Sequence, residues 1–215
     1  MDPDAAAAER TASPLHTEMP EVEILDHHEV RSPWSTFHRF GYRVRQGNGQ
    51  WISQEREFLD RGDAIALLPF CPQTGTILLT RQFRMPVYLR HPTESMLIEC
   101  CGGILDDPDP EVTLRHEALD ELGIDLGAFE KVFEGYSTPG SVCEKVHYFI
   151  APYTERQRRH AGGGNPHEGE DIEVFELPLA DAIPMIRWHE IRDIRTIALL
   201  LYLAAMGLPG ETAAP

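Results

Sequence analysis

Gly102-Gly103-Ile104-Leu105, a loop broken by Pro108 and Pro110, and then Glu117-Ala118-Leu119-Asp120-Glu121-Leu122-Gly123-Ile124 join a glycine turn to a short helix with acids on one face. Met96-Leu97-Ile98-Glu99-Cys100-Cys101, just before it, reads as a strand that the glycine pair ends. The prolines keep the loop out of helix, and Pro110 or Glu111 opens a helix with acid at its positive end. Leu114, Ala118 and Leu122 form its apolar stripe, and Gly123 is placed to cap its C-terminus. At 3.6 residues per turn, Glu117, Asp120 and Glu121 project together. Acids so close repel one another unless a cation compensates, and Mg²⁺ takes this kind of site: a few carboxylates, water and phosphate oxygens. An ordinary solvated face is the alternative. A second acidic cluster, Glu168-Gly169-Glu170-Asp171, lies on a later loop.

Working outward, 215 residues suffice for one domain with a substantial core. Asp and Glu outnumber Lys and Arg by 35 to 19, a field that repels nucleic acid backbones and anionic membranes. Residues 1–20 are rich in Ala, Pro and polar side chains, lack the form of a secretory signal, and read as a disordered tail. The apolar run Ile197 to Met206 is far short of the roughly 20 residues needed to cross a bilayer. Cys71, Cys100, Cys101 and Cys143 show neither a CxxC pair nor regular spacing, which fits a reduced, cytoplasmic protein better than a disulfide or zinc framework.

Along the chain, Val22 to Leu25, Phe37 to Val44 and Gln50 to Ile52 favour alternating strands, a small antiparallel meander too thin to stand alone. The apolar run Ala64 to Phe70 turns at Pro72-Gln73-Thr74-Gly75 into Thr76 to Thr80, a hairpin that delivers Arg81-Gln82-Phe83-Arg84. Val132 to Tyr136, Val146 to Ile150 and Ile172 to Leu177 are further strands. Between the last two, Thr154 to Gly169 is polar, contains Gly162-Gly163-Gly164 and reads as a mobile loop. Helices over Leu179 to Trp188 and Arg195 to Met206 close the chain. Adjacent Cys100 and Cys101 point to opposite faces of a strand, so core packing is their default. His27, His28, His160 and His167 lie in polar stretches without ligand spacing. Trp34 and Trp51 suit a dimer interface better than base stacking.

The span Gly102 to Ile124 resembles the Nudix box, the signature of hydrolases that cleave diphosphates linked to another moiety. It departs at His116, where the box usually has Arg, and at Asp120, where it has Glu, while its first acidic position falls at Pro108, a departure, or at Asp109. Leu97 to Gly103, Arg81 to Arg84, Ser137 to Gly140, Ala161 to Gly164, Glu170 to Val174 and Glu190-Ile191-Arg192-Asp193 are similar to the ADP-ribose and nucleotide-sugar branch. The triple glycine with Glu-Asp-Ile-Glu and the later Glu-Ile-Arg-Asp are most similar to its GDP-mannose pyrophosphatase group.

That resemblance implies an α/β/α sandwich around a mixed sheet over residues 62–208, an N-terminal meander over 21–61 that serves dimerisation by packing on the partner or swapping with it, and a short tail from 209 to 215. It implies that the Gly102 carbonyl, Glu117, Glu121 and Glu170 bind Mg²⁺, or Mn²⁺ in its place. Glu121, Glu168 and Glu170 are the catalytic candidates, with either Glu168 or Glu170 as the base that activates water. Arg84 would grip diphosphate; Arg56, Glu57 and Arg195 match substrate-contacting positions of the GDP-mannose group, and Glu99 and Glu144 are further substrate-binding candidates, Glu144 reaching the nucleotide or sugar or else standing as a solvated acid. The expected reaction is Mg²⁺-dependent hydrolysis of a nucleoside diphosphate sugar, GDP-mannose first, with ADP-ribose or UDP-glucose as alternatives, by a homodimer with no nucleic acid or membrane partner. A non-enzymatic module sensing nucleotide sugars is the reading from another class.

Overall fold

The computed structural model describes residues 19–105 and 107–207, apart from the side chain of Glu168. The stretches read as terminal tails therefore lie outside the described residues, save Met19 and Pro20. The described residues divide into two compact units, with the boundary between Phe58 and Leu59.

The first unit is the meander. Strands β1 (Val22–Arg31), β2 (Thr36–Arg45) and β3 (Trp51–Asp60) form a sheet in that order, with β1 antiparallel to β2. All three run longer than their apolar patterns suggest, because cross-strand ion pairs such as Arg39 with Glu55 and Arg43 with Glu23 replace apolar alternation. Leu59 and Asp60, the last residues of β3, belong to the second unit, where Leu59 bridges to Val142.

In the second unit β4 (Ala64–Cys71) runs parallel to β8 (Lys145–Pro152), and the other pairings are antiparallel, which makes the sheet mixed. Its order is β6 (Met96–Glu99), β5 (Thr76–Phe83), β4, β8, β7 (Glu130–Tyr136), with β9 (Glu173–Pro178) also pairing with β5. Alternate residues of β4 enter different cores. Ala64, Ala66, Leu68 and Phe70 pack with Leu199, Leu200 and Leu203 of α4 (Ile194–Met206) and Ala182 of α3 (Leu179–Arg187). Ile65 and Leu67 pack with Leu114 and Ala118 of α2 (Pro110–Asp120) and with Leu122. Helices thus cover both faces, and a strand buried on both sides explains the unbroken apolar run of β4. The sequence pattern did not announce α1 (Met85–Tyr88), a single turn after Arg84 with Pro86 in its first positions. Among the described residues no helix is long and apolar enough to cross a membrane.

One detail of the sheet creates the site. β4 and β5 pair only near their turn, at Phe70 with Ile77 and Cys71 with Thr76, and then separate. The chain from Met96 bridges the opening: β6 pairs with β5, after which Cys101 and Ile104 bridge to Leu67 and Ala64 of β4. Gly102 lies in that crossing strand, so close to β4 that a Cβ would stand 2.4 Å from the Ile65 carbonyl oxygen. Only glycine allows the approach.

Candidate active site

Helix α2 begins where the loop prolines require. Asp109 accepts a hydrogen bond from the Glu111 N–H at 3.0 Å and Pro110 takes the first turn, so the acid beside Pro108 serves as an N-cap. Arg115, one position before the expected arginine, reaches the Leu126 and Gly127 carbonyls and lies over the Phe129 ring at 4.9 Å. It braces the helix, while His116 pairs with Asp120 at 3.4 Å on the outer face. The carboxylates therefore separate: Asp120 turns outward, and Glu121 goes inward with 2% of its surface exposed.

Glu121 meets the glycine pair. The Gly102 N–H donates to its Oε2 at 3.1 Å, and the Cys101 thiol also hydrogen-bonds it. Burial, together with the charges of Glu117 and Glu170, raises its pKa to about 8, against the opposing pull of those two hydrogen bonds. Glu117 comes alongside from the same helix, with its Oε1 only 2.2 Å from where a Gly103 Cβ would sit. The Cys101 and Gly103 carbonyls accept from the Leu67 and Ile65 N–H groups of β4, and neither bond uses the Gly102 carbonyl.

The second half of the site arrives through the triple glycine. The Gly163 N–H donates to the Glu121 carbonyl at 2.9 Å and the Gly164 N–H to the Asp120 carbonyl at 3.1 Å, satisfying acceptors that the end of α2 leaves open. The Ile172 N–H returns to the Gly163 carbonyl at 3.1 Å. Within the segment read as a mobile loop, the glycines fit the chain closely against the helix end. Glu170 is held in turn, its Oε2 accepting from the Asn165 N–H at 2.8 Å, and its charge is among those acting on Glu121. Glu168 ends a one-turn 3-10 helix, Pro166–Glu168, and its side chain lies outside the described residues.

Arg84 stands where β5 ends. Its Nε lies 3.0 and 3.1 Å from the two oxygens of Glu99, a buried carboxylate that also accepts from Gln82 Nε2 at 3.2 Å. Burial works against the guanidinium charge, but Glu99 more than offsets it and raises the Arg84 pKa, with Glu121 and Asp193 adding smaller pulls. Glu99 thus holds Arg84. Arg81 is spent on a cross-strand ion pair with Glu173.

At the start of α4, Asp193 caps the helix by accepting from the Thr196 N–H at 2.8 Å, and Thr196 Oγ1 accepts from the Cys100 N–H at 2.7 Å. This dock, which residue patterns did not flag, places Arg195 Nη2 4.0 Å from the buried Glu144 Oε1. Arg56 and Glu57 lie on β3 in the first unit, where Arg56 donates to the Glu55 carbonyl at 2.7 Å.

The donor set is oxygen throughout: Glu117, Glu121 and Glu170 carboxylates beside an extended glycine backbone. Burying an acid whose neighbours oppose its ionisation is costly in the bare protein, and a hard divalent cation would reverse that cost, so these residues fit Mg²⁺ or Mn²⁺.

Against known proteins, the chain is 40% identical over 186 residues to the GDP-mannose pyrophosphatase of Pectobacterium atrosepticum, covering 86% of this chain and 95% of that one. It is 44% identical over 183 residues to the GDP-mannose pyrophosphatase of Escherichia coli K12, covering 85% and 95%. The chain belongs to the GDP-mannose pyrophosphatase family. The fold agrees. A crystal structure described as an ADP compounds hydrolase superposes with a TM-score of 0.65 at 18% identity, over 89% of this chain and 98% of the other, and the shared fold is the Nudix fold. A scan against protein-family models gives no match.

Proposed function

We propose that this protein hydrolyses the diphosphate bond of a nucleoside diphosphate sugar, GDP-mannose first, to a nucleoside monophosphate and a sugar phosphate. The observation that carries the reading is the convergence of Glu117 and Glu121 from α2 with Glu170 from the glycine-locked loop, in a chain of this family. Glu117, Glu121, Glu170 and the Gly102 carbonyl would hold Mg²⁺. When bound, the cation neutralises diphosphate charge and lowers the pKa of coordinated water.

The chain's own residues do the remainder. Arg84, kept in place by Glu99, offers forked donors to phosphate oxygens. Glu144 and Arg195 flank the start of α4 and suit the nucleotide or sugar. Glu168 is the proposed base that takes the proton from the attacking water, with Glu170, whose Oε2 accepts from the Asn165 N–H, as its rival for that role. Arg84→Lys keeps the charge and loses the fork, so KM for a diphosphate substrate should rise about tenfold with a smaller change in kcat. Steady-state kinetics check this.

The test is turnover of a panel of nucleotide sugars, GDP-mannose, ADP-ribose and UDP-glucose among them, with Mg²⁺ or Mn²⁺ and phosphatase-coupled phosphate release. No turnover of any member sinks the enzymatic reading and leaves a binding module. We extend the proposal to a homodimer in a reducing cytoplasm. Val22, Ile24, Leu25, Val30 and Trp34 are exposed on or beside the meander, a load of apolar surface that a second copy would cover, and all four cysteines are free thiols. Light scattering should return twice the 24.3 kDa chain mass.

A further inference from the structure

The first unit carries a cluster that the proposed reaction does not use. On the β1/β2 pair, Glu29 stands directly opposite His38, and His27 opposite Phe40. Residues two apart on a strand share a face, so β1 presents His27 and Glu29 where β2 presents His38. Their potential ligand atoms all lie within 4.8 Å of one another. His27 Nε2 and His38 Nδ1 face each other at 2.9 Å.

The rings are held from behind. His27 stacks on Phe40 with centroids 4.0 Å apart, and His38 lies 5.1 Å from the Phe58 ring. Side chains already fixed by their neighbours lose little freedom on gripping a ligand. Glu29 is occupied through Oε1 by Arg31 Nε at 2.9 Å, but this pair is exposed and weakly held against a competing cation.

We propose that His27, Glu29 and His38 form a second metal site, which takes a transition cation of the Zn²⁺ class through one nitrogen from each imidazole and one carboxylate oxygen, with water completing the shell. Two imidazoles and a carboxylate suit Zn²⁺, whereas the all-oxygen set on α2 and its loop suits Mg²⁺, so donor type separates the two sites. A cation here would clip β1, exposed along all ten residues, to its neighbour.

The full-length protein, stripped of metal and kept in millimolar Mg²⁺, should be titrated with Zn²⁺ by calorimetry and with Co²⁺ as a visible-absorbing probe. One Zn²⁺ per chain is expected to bind and to displace Co²⁺ absorption. Glu29→Gln removes the charged ligand from an exposed position without changing volume, and His38→Gln removes an imidazole; each should weaken Zn²⁺ binding by about tenfold or more. His28→Gln, on the opposite face of β1, should bind as the parent does. Unchanged affinity in both Glu29→Gln and His38→Gln would overturn the proposal, as would an equal loss in His28→Gln.

Discussion

Glu121→Gln is expected to lower kcat by about a thousandfold or more, while the metal-free protein at neutral pH becomes no less stable than the parent. The first half follows from the loss of a charged oxygen at the centre of the carboxylate cluster, which removes several kcal/mol of cation binding and charge stabilisation with no change in core volume. The second follows from linkage. The carboxyl pKa is raised from 4.5 to about 8 by burial and by Glu117 and Glu170. Between those values the unfolded chain has released the proton that the folded chain still holds. The stability this group contributes is fully present below the unfolded value and is lost as pH rises through the folded one. Glutamine does not titrate, so the metal-free variant should lack that decline. Urea midpoints at pH 5 and pH 8 in chelator check the stability half, and Mg²⁺-dependent turnover checks the rate. Near-normal turnover would place the cation elsewhere.

Gly162→Ala should cost stability on the order of 3 kcal/mol and reduce cation binding at the same time. Gly162 sits at φ +75, where a side chain is strained, and an added Cβ would stand 2.3 Å from the Glu121 carbonyl oxygen, a backbone atom that cannot step aside. Relief of the clash must move the loop off the end of α2, which breaks the Gly163 and Gly164 hydrogen bonds and carries Glu170 away from Glu121. Gly47→Ala, with nothing within 4 Å of the new methyl, should fall within about 0.5 kcal/mol of the parent. Denaturant midpoints with and without Mg²⁺ separate the two effects.

Local encoding explains what the residues disclosed. The stripe Leu114, Ala118, Leu122 and the cap at Gly123 are periodic and contiguous features, and all three apolar side chains are fully buried. The run Ala64 to Phe70 carries its double burial in its composition. Cys100 and Cys101 enter different cores because neighbouring strand residues alternate faces. What was hidden depends on contacts between distant segments. A triple glycine reads as freedom until the carbonyls of Asp120 and Glu121 are seen to receive its N–H groups. That Arg84 and Gln82 both reach Glu99 is likewise invisible until β5 and β6 are paired. The His27, Glu29 and His38 cluster has no ligand spacing along one strand, since strand pairing alone brings His38 across to β1.

The account rests on one cation site built from two halves, α2 and the loop ending at Glu170. Mn²⁺ binding followed by electron paramagnetic resonance in the parent, Glu121→Gln and Glu170→Gln proteins tests it most directly. Each substitution should weaken the same Mn²⁺ binding event by about tenfold or more. Parent-like Mn²⁺ affinity in Glu170→Gln would contradict the account, because the loop would then be no part of the site.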